Sequence, residues 1–232
     1  MDSRTTLFSL SSLQRRAATV LSWGVAFLLI ASTAPARAGG AIPEVYDQTI
    51  GNWGHAWWQW ALNFPTADNP LVQDGDVDCS AGQSDKVWYL AGTLGGSAER
   101  RCSIKKGKAI FFPLLNGIFW TPEDCADEPS CRTGVGALID AITGWTCTVD
   151  GAPCVWSAQI VRAQSDARPL NLPKGSIAVT DFGYAPGVRE VSIADGYWVM
   201  LDPLPPGPHT IHFTSSAPDF ALDVTYHLTV GP

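Results

Sequence analysis

The chain has 232 residues, ten tryptophans, six cysteines and a formal net charge of −7. This acidity argues against a nucleic-acid partner, because proteins that bind nucleic acid present basic surfaces. The length suits one domain after a short leader, and the sequence shows no internal repeat or low-complexity linker that would divide it.

The amino-terminal segment, residues 1–38, has the three zones of a secretory signal peptide. A basic region ends at Arg16, an apolar run covers 17–34, and the small-residue site 36–38 (ARA) follows. Cleavage after 38 removes four arginines and one aspartate, which moves the net charge to −10. We expect a secreted or periplasmic protein with no membrane association after cleavage, exported by the general or the twin-arginine route; an uncleaved anchor is the alternative.

The cysteines indicate a disulfide framework, because an even number in an exported chain is typical of paired thiols. All six follow the predicted leader: Cys79, Cys102, Cys125, Cys131, Cys147 and Cys154. Cys147 with Cys154, and Cys125 with Cys131, flank short loops that close easily, which leaves Cys79 with Cys102. A zinc site is the rival interpretation, but no Cys-x-x-Cys spacing and no neighbouring histidine favours it.

One amphipathic helix is predicted over residues 43–63. Its apolar residues recur at steps of three and four: Tyr46, Ile50, Trp53, Trp57, Trp60 and Phe64. Pro43, Glu44 and Asp47 suit the first turn of a helix, and Phe64-Pro65 suits its end. A second, short helix is predicted over 133–143 from apolar residues at helical spacing.

The rest of the chain has the pattern of a sheet protein, with short apolar runs between Gly, Pro and Asp. The predicted strands are 87–91, 109–115, 155–161, 177–180, 196–201, 209–214 and 222–230. The last strand alternates apolar and polar residues over nine positions, and a turn at 217–219 predicts that it pairs antiparallel with 209–214. The sequence therefore predicts a mainly β fold, an antiparallel β-sandwich or jelly-roll-like domain over 39–232 with the amino-terminal helix packed outside and one short internal helix.

Four distinctive motifs lie in the mature chain: 57–60 (WWQW), 87–92 (VWYLAG), 107–113 (GKAIFFP) and 195–198 (DGYW). Together they resemble a family of uncharacterised exported bacterial proteins. The resemblance covers most of the mature chain and implies export and a shared architecture. It carries no activity or ligand over to these positions.

Tryptophan is suited to stacking on sugar rings, so an indole exposed on the helix is a candidate binding residue. Trp53, Trp57 and Trp60 share the apolar stripe and are expected in the core. Trp58 lies about 100° round the helix from Trp57 and nearer His55. Trp58 and His55 are therefore the predicted ligand-binding residues, with burial of Trp58 under a loop as the alternative.

Two sets of residues could hold a metal. His212 and His227 face the same side of adjacent predicted strands, and Asp223 lies on that side too, which is a His-His-carboxylate set. A calcium loop is suggested by carboxylates at the first, third, fifth and twelfth positions: Asp74, Asp76, Asp78 and Asp85. Cys79 stands where an EF-hand needs glycine, so only a looser calcium loop is considered. Ordinary surface histidines and a solvated acidic turn are the alternatives.

No motif for nucleophilic catalysis is present, because the sequence has no Gly-x-Ser-x-Gly element and every cysteine is expected to be oxidised. We therefore expect an exported, non-catalytic recognition module for a carbohydrate or a cell-envelope component. One alternative is a secreted enzyme, a hydrolase or lyase that uses a metal at His212, Asp223 and His227 or carboxylates in a cleft beside the first helix. The other is a structural envelope protein without a small ligand. Calcium is the candidate cofactor, and none of these functions requires one.

Overall fold

The computed structural model describes residues 44–83, 86–154 and 158–231, which fall within one compact unit. The predicted signal peptide and the first residues of the strand expected at 155–161 lie outside these ranges. The described chain is mainly β, with two mixed sheets and three helices. None of the described helices is long and apolar enough to span a membrane.

The helices are α1 (Ile50–Ala61), α2 (Glu128–Asp140) and α3 (Ile177–Thr180). The strands are β1 (Glu44–Val45), β2 (Gln48–Thr49), β3 (Gly75–Asp76), β4 (Val87–Tyr89), β5 (Gly96–Lys105), β6 (Ala109–Trp120), β7 (Gly144–Val149), β8 (Ala152–Pro153), β9 (Ala158–Gln164), β10 (Arg168–Leu172), β11 (Gly187–Leu201), β12 (Gly207–Ala217) and β13 (Phe220–Gly231).

Helix α1 begins seven residues later than the sequence predicted. A β1–β2 hairpin occupies the expected first turn, because Tyr46 and Asp47 adopt positive φ angles of 51° and 71°. Thr49 then caps the helix, since its hydroxyl accepts from the backbone N–H of Asn52 at 3.2 Å. Glu44 therefore lies in β1 and not in the first turn of the helix, and Pro43 lies outside the described residues.

Sheet I has the order β10-β11-β6-β4, and β9 also pairs with β11. The long strand β11 pairs along one edge with β6; along the other edge it pairs first with β10 and then with β9. The prediction that all pairing is antiparallel is wrong here, because β4 runs parallel to β6. The chain between β4 and β6 includes β5 of the other sheet, and such a crossover permits parallel neighbours.

Sheet II has the order β3-β5-β13-β12-β7-β8. The predicted antiparallel hairpin of the last two strands is confirmed, with Ala217 opposite Phe220 at the turn and Gly207 opposite Val230 at the far end. Strand β5 contacts β13 and β3 in parallel, so this sheet is also mixed. Sequence analysis did not identify β5, although its burial alternates clearly along the strand.

The internal helix is confirmed but starts earlier than expected. Asp127 caps α2 by accepting from the backbone N–H of Ser130 at 2.9 Å, and Ser130 Oγ accepts in return from the N–H of Asp127. The expected strand at 177–180 is wrong, because these residues form the single helical turn α3. A four-residue apolar run does not separate strand from helix by periodicity.

The two sheets and helix α1 pack as layers. Trp198 and Val199 are neighbours on β11 and point to opposite faces of sheet I. The Trp198 ring lies against Gly54 of α1, whereas Val199 belongs to a buried cluster that includes Phe213 and Val224 of sheet II. Helix α1 and sheet II therefore cover opposite faces of sheet I.

All three expected disulfides are present: Cys79–Cys102, Cys125–Cys131 and Cys147–Cys154. The first joins the segment before β4 to β5, and the other two close small loops. Intramolecular disulfides of this kind are typical of proteins from oxidising compartments.

Candidate functional site

The two predicted ligand-binding residues of α1 are both buried. Trp58 is 6% exposed and His55 is 5% exposed, so the expectation of an accessible indole at Trp58 is wrong. Both side chains are buried because Gly51 and Gly54 let α1 approach sheet I closely. A Cβ at Gly54 would lie 2.4 Å from the Trp198 ring, and Trp58, four residues on, shares this sheet-facing side.

His55 belongs to a buried hydrogen-bond chain. Ser192 Oγ donates to the carbonyl of Arg168 at 2.8 Å, so it accepts from His55 Nε2, which lies 2.8 Å away. Burial, followed by the positive charge of Arg168, lowers the pKa of His55 to about 4. A neutral imidazole that donates to Ser192 is not a base for that hydroxyl, so this pair has a structural role.

The predicted His-His-carboxylate set is divided between two pairs. His212 Nε2 lies 2.9 Å from Asp223 Oδ1, whereas His227 Nε2 lies 3.2 Å from Glu99 Oε1 on the neighbouring strand. Within the described ranges no group of three or more such side chains is placed to hold a metal ion. The structure does not bring His212, Asp223 and His227 together around one point.

Two aspartates of the suggested calcium loop, Asp74 and Asp78, have separate hydrogen-bond partners. Asp74 Oδ1 accepts from the backbone N–H of Glu99 at 2.7 Å, and Asp76 lies in β3. Asp78 Oδ1 accepts from the hydroxyl and the N–H of Ser80, and these bonds lower the pKa of Asp78. Asp85, the fourth carboxylate of the set, lies outside the described residues.

A pocket opens beside the carboxyl end of α1 and has an empty volume of about 340 Å³ including its mouth. Its lining residues come from α1, the segment after it, and strands of both sheets: Trp60, Phe64, Asp68, Pro70, Gln73, Val77, Asp78, Cys79, Ala81, Tyr89, Arg100 and Tyr226. We name it the Arg100 pocket. It combines four aromatic side chains with one cationic and two acidic groups.

Arg100 is the most unusual residue of this pocket, because an arginine that is only 1% exposed is rare. Its Nε donates to the carbonyl of Gln73 at 2.8 Å, and one Nη2 hydrogen goes to the carbonyl of Gly92 at 3.0 Å. Its Nη1 donates to the carbonyl of Ala91 and to the hydroxyl of Tyr226, both at 2.7 Å. The guanidinium carbon also lies 5.3 Å from the centre of the Tyr226 ring.

The wall of the Arg100 pocket is held by the chain between α1 and β4. Trp60 Nε1 donates to the carbonyl of Ala81 at 3.0 Å. Gln83 accepts from the N–H of Tyr89 at 2.7 Å and donates to the carbonyl of Cys79 at 2.8 Å. The Cys79–Cys102 disulfide fixes this wall to β5, the strand that carries Arg100. The pocket therefore has a rigid frame, as binding sites require.

A second group of ionisable side chains lies at the turn after β6. Arg189 of β11 donates to both oxygens of Glu123, at 3.0 and 3.1 Å from Nε. Asp124 accepts from the backbone N–H of Trp120 at 3.1 Å, and burial raises the pKa of Asp124 to about 6. Burial likewise raises the pKa of Tyr184 to about 12. These contacts tie the turn to β11.

The Arg100 pocket was not predicted from the sequence, and Asp78 of its lining was predicted as a calcium ligand instead. Arg100 stands in a basic run with Arg101, Lys105, Lys106 and Lys108, a pattern typical of a solvated strand edge. A signal was present nevertheless. In β5 the inward positions are Ala98, Cys102 and Ile104, and a period of two places Arg100 among them.

No protein-family model matches this sequence, and no protein of curated function matches it.

Three solved structures align with the chain at low similarity. The cysteine protease inhibitor EhICP2 from Entamoeba histolytica is 14% identical, with 62% of this chain and 96% of that chain covered and a TM-score of 0.25. Amebosin is 14% identical over 59% of this chain and 97% of its own, with a TM-score of 0.21. PbICP-C, solved in complex with falcipain-2, is 9% identical over 67% and 98%, with a TM-score of 0.22. These TM-scores are too low to carry an argument about fold or function.

Proposed function

We propose that this chain is a secreted or periplasmic, non-catalytic recognition domain of β-sandwich or jelly-roll-like form, which binds a carbohydrate or another cell-envelope component at the Arg100 pocket. The observation that carries the proposal is the composition of this pocket. Phe64, which is half-buried, supplies aromatic surface at the pocket, which suits the apolar face of a sugar ring, and the buried rings of Trp60 and Tyr89 complete the aromatic lining. Arg100 supplies a donor, and Asp68 and Asp78 supply acceptors for hydroxyl groups.

The form of the domain is supported by the shared core. Residues of both sheets, among them Phe112 of β6 and Phe213 of β12, belong to one buried cluster, and their ring centres lie 4.9 Å apart. Export is supported by the three disulfides and by the leader-like sequence of 1–38. A frame fastened by disulfides suits a preorganised binding site better than it suits a catalytic site that must move.

The test is a thermal-unfolding screen of the oxidised protein against soluble neutral and acidic saccharides. A ligand at ten times its dissociation constant stabilises the native state by about 1.4 kcal/mol, which raises Tm by roughly 3–6 °C for a domain of this size. Val77→Trp fills the pocket, and Val72→Trp is the matched control, because Val72 is exposed and does not line the pocket.

We expect at least one saccharide to raise Tm in the wild type and in Val72→Trp, and to leave Tm unchanged in Val77→Trp. An equal rise in all three proteins would place the binding elsewhere and overturn the assignment of this pocket. No rise with any saccharide in the wild type would contradict carbohydrate recognition.

A further inference from the structure

Arg100 carries a buried positive charge that has no carboxylate partner among the described residues. Its hydrogen-bond partners are carbonyl oxygens and the hydroxyl of Tyr226, all of which are neutral. Arg189, the other buried arginine, pairs with Glu123 instead. An arginine without such a partner retains an attraction for an anion that water screens poorly at a buried site.

The guanidinium also retains one donor. It has five N–H groups, and the four hydrogen bonds described above use one at Nε, two at Nη1 and one at Nη2. The second Nη2 hydrogen has no acceptor among the described residues, and Arg100 lines the pocket. A ligand oxygen that accepts this hydrogen would give all five N–H groups of Arg100 an acceptor.

The size of the pocket limits what reaches Arg100. The interior of the pocket has room for about one or two water molecules, and its empty volume of about 340 Å³ includes open solvent. A small planar group such as a carboxylate fits this depth, whereas a whole sugar ring does not. The ring of such a ligand would lie at the mouth.

The two acidic residues of the lining weaken anion binding less than their charges suggest. Asp68 and Asp78 are both exposed, so solvent and salt screen them, while Arg100 is buried. Asp78 Oδ1 is also occupied by two hydrogen bonds from Ser80. The buried guanidinium therefore dominates the chemistry at the base of the pocket.

From these observations we infer that the group which enters the Arg100 pocket is a carboxylate, so that the ligand class is a uronate-type acidic sugar. This inference rests on the proposed function and narrows its ligand class. The carboxylate accepts a charge-assisted hydrogen bond from Arg100, and the sugar ring packs at the mouth against exposed lining atoms. Neutral sugars of the same ring lack the stronger of these two interactions.

The experiment is a calorimetric titration with two matched pairs of probes, glucuronate with glucose and galacturonate with galactose. In each pair only the carboxylate is exchanged for a hydroxymethyl group. The variants are Arg100→Lys, which keeps the charge but loses the planar fork, and Val77→Trp, which blocks the pocket and leaves Arg100 intact. Arg101→Lys is the control, because Arg101 is the exposed neighbour on β5 and does not line the pocket.

We expect each acid to bind at least about tenfold more tightly than its neutral partner, which corresponds to the usual gain from a charged hydrogen bond. Arg100→Lys and Val77→Trp lose this preference, and Arg101→Lys keeps it. If acid and neutral sugar bind equally and Val77→Trp abolishes both, the carboxylate inference is overturned and the assignment of the pocket as the binding site stands. Binding of none of the four probes would contradict carbohydrate recognition as well as the carboxylate inference. Acid binding that survives Val77→Trp would refute the assignment of this pocket and, with it, the carboxylate inference.

Discussion

The buried imidazole of His55 predicts a specific loss of stability in acid. Its pKa is about 4 in the folded protein and 6.5 in an unfolded chain, so the unfolded state binds the proton more readily between these values. The stability that neutral His55 contributes is therefore present above pH 6.5 and is lost as the pH falls towards 4. The full difference of 2.5 pKa units corresponds to about 3 kcal/mol.

The test compares the wild type with His55→Gln, whose amide can still donate to Ser192. Urea unfolding followed by tryptophan fluorescence gives the free energy of unfolding at pH 7 and at pH 4. We expect the wild type to lose about 3 kcal/mol more than the variant, because other titrating groups cancel in this comparison. Equal losses in the two proteins would refute the placement of a neutral His55 in the core.

Three other predictions test separate parts of the structure. Asp124 has a raised pKa of about 6, so its stabilising effect is present below about pH 4 and is lost as the pH rises through 6. Between pH 4 and pH 8 the free energy of unfolding of Asp124→Asn should therefore rise by up to about 3 kcal/mol relative to that of the wild type. An unchanged difference would contradict the burial of Asp124. Gly54→Ala should destabilise by about 1–3 kcal/mol in urea because its methyl group meets the Trp198 ring, whereas a gain would show that α1 does not approach sheet I this closely. Replacing Cys79 and Cys102 by alanine should lower the free energy of unfolding by about 3.4 kcal/mol, because their sequence separation is 23. The same replacement of Cys147 and Cys154, with a separation of 7, should lower it by about 2.4 kcal/mol. Calorimetry measures both losses, and the reverse order would contradict the loop-entropy argument.

Much of the fold could be predicted because its signals are local. The last strand alternates apolar and polar residues with a period of two, and the register of β12 with β13 follows from the turn between them. The cysteine pairs around short loops were predictable for the same reason, since loop closure favours them. The parallel neighbours were not, because strand order depends on contacts between distant segments.

The face of α1 shows why a correct helix can still be given the wrong orientation. Its periodicity marks a stripe of large apolar residues, but the side nearest sheet I carries Gly51 and Gly54, which have no hydropathy signal. A Cβ at Gly51 would lie 2.0 Å from the carbonyl oxygen of Gln164, so close approach requires glycine there. Trp58 lies on the same side of α1 as these glycines, so its indole, predicted to be exposed, is buried.

The candidate site was hidden for a different reason. Arg100 stands in a run of charged residues, and charge normally indicates a solvated surface. Its burial depends on carbonyl groups at Gln73, Ala91 and Gly92, which the fold brings to the guanidinium from other segments. A sequence pattern does not show where backbone acceptors lie, so the period-two alternation of β5 was the one signal that Arg100 faces the interior.

Ligand binding at the Arg100 pocket is tested most directly by the indole resonances of the tryptophans. Trp60 lines the pocket and donates its indole N–H to Ala81, whereas Trp145 is exposed on β7 and does not line it. Titration of glucuronate into ¹⁵N-labelled protein should shift the Trp60 indole signal in the wild type, leave Trp145 unchanged, and shift neither in Val77→Trp. A shift at Trp145 without one at Trp60, or no shift at saturating glucuronate, would contradict the claim.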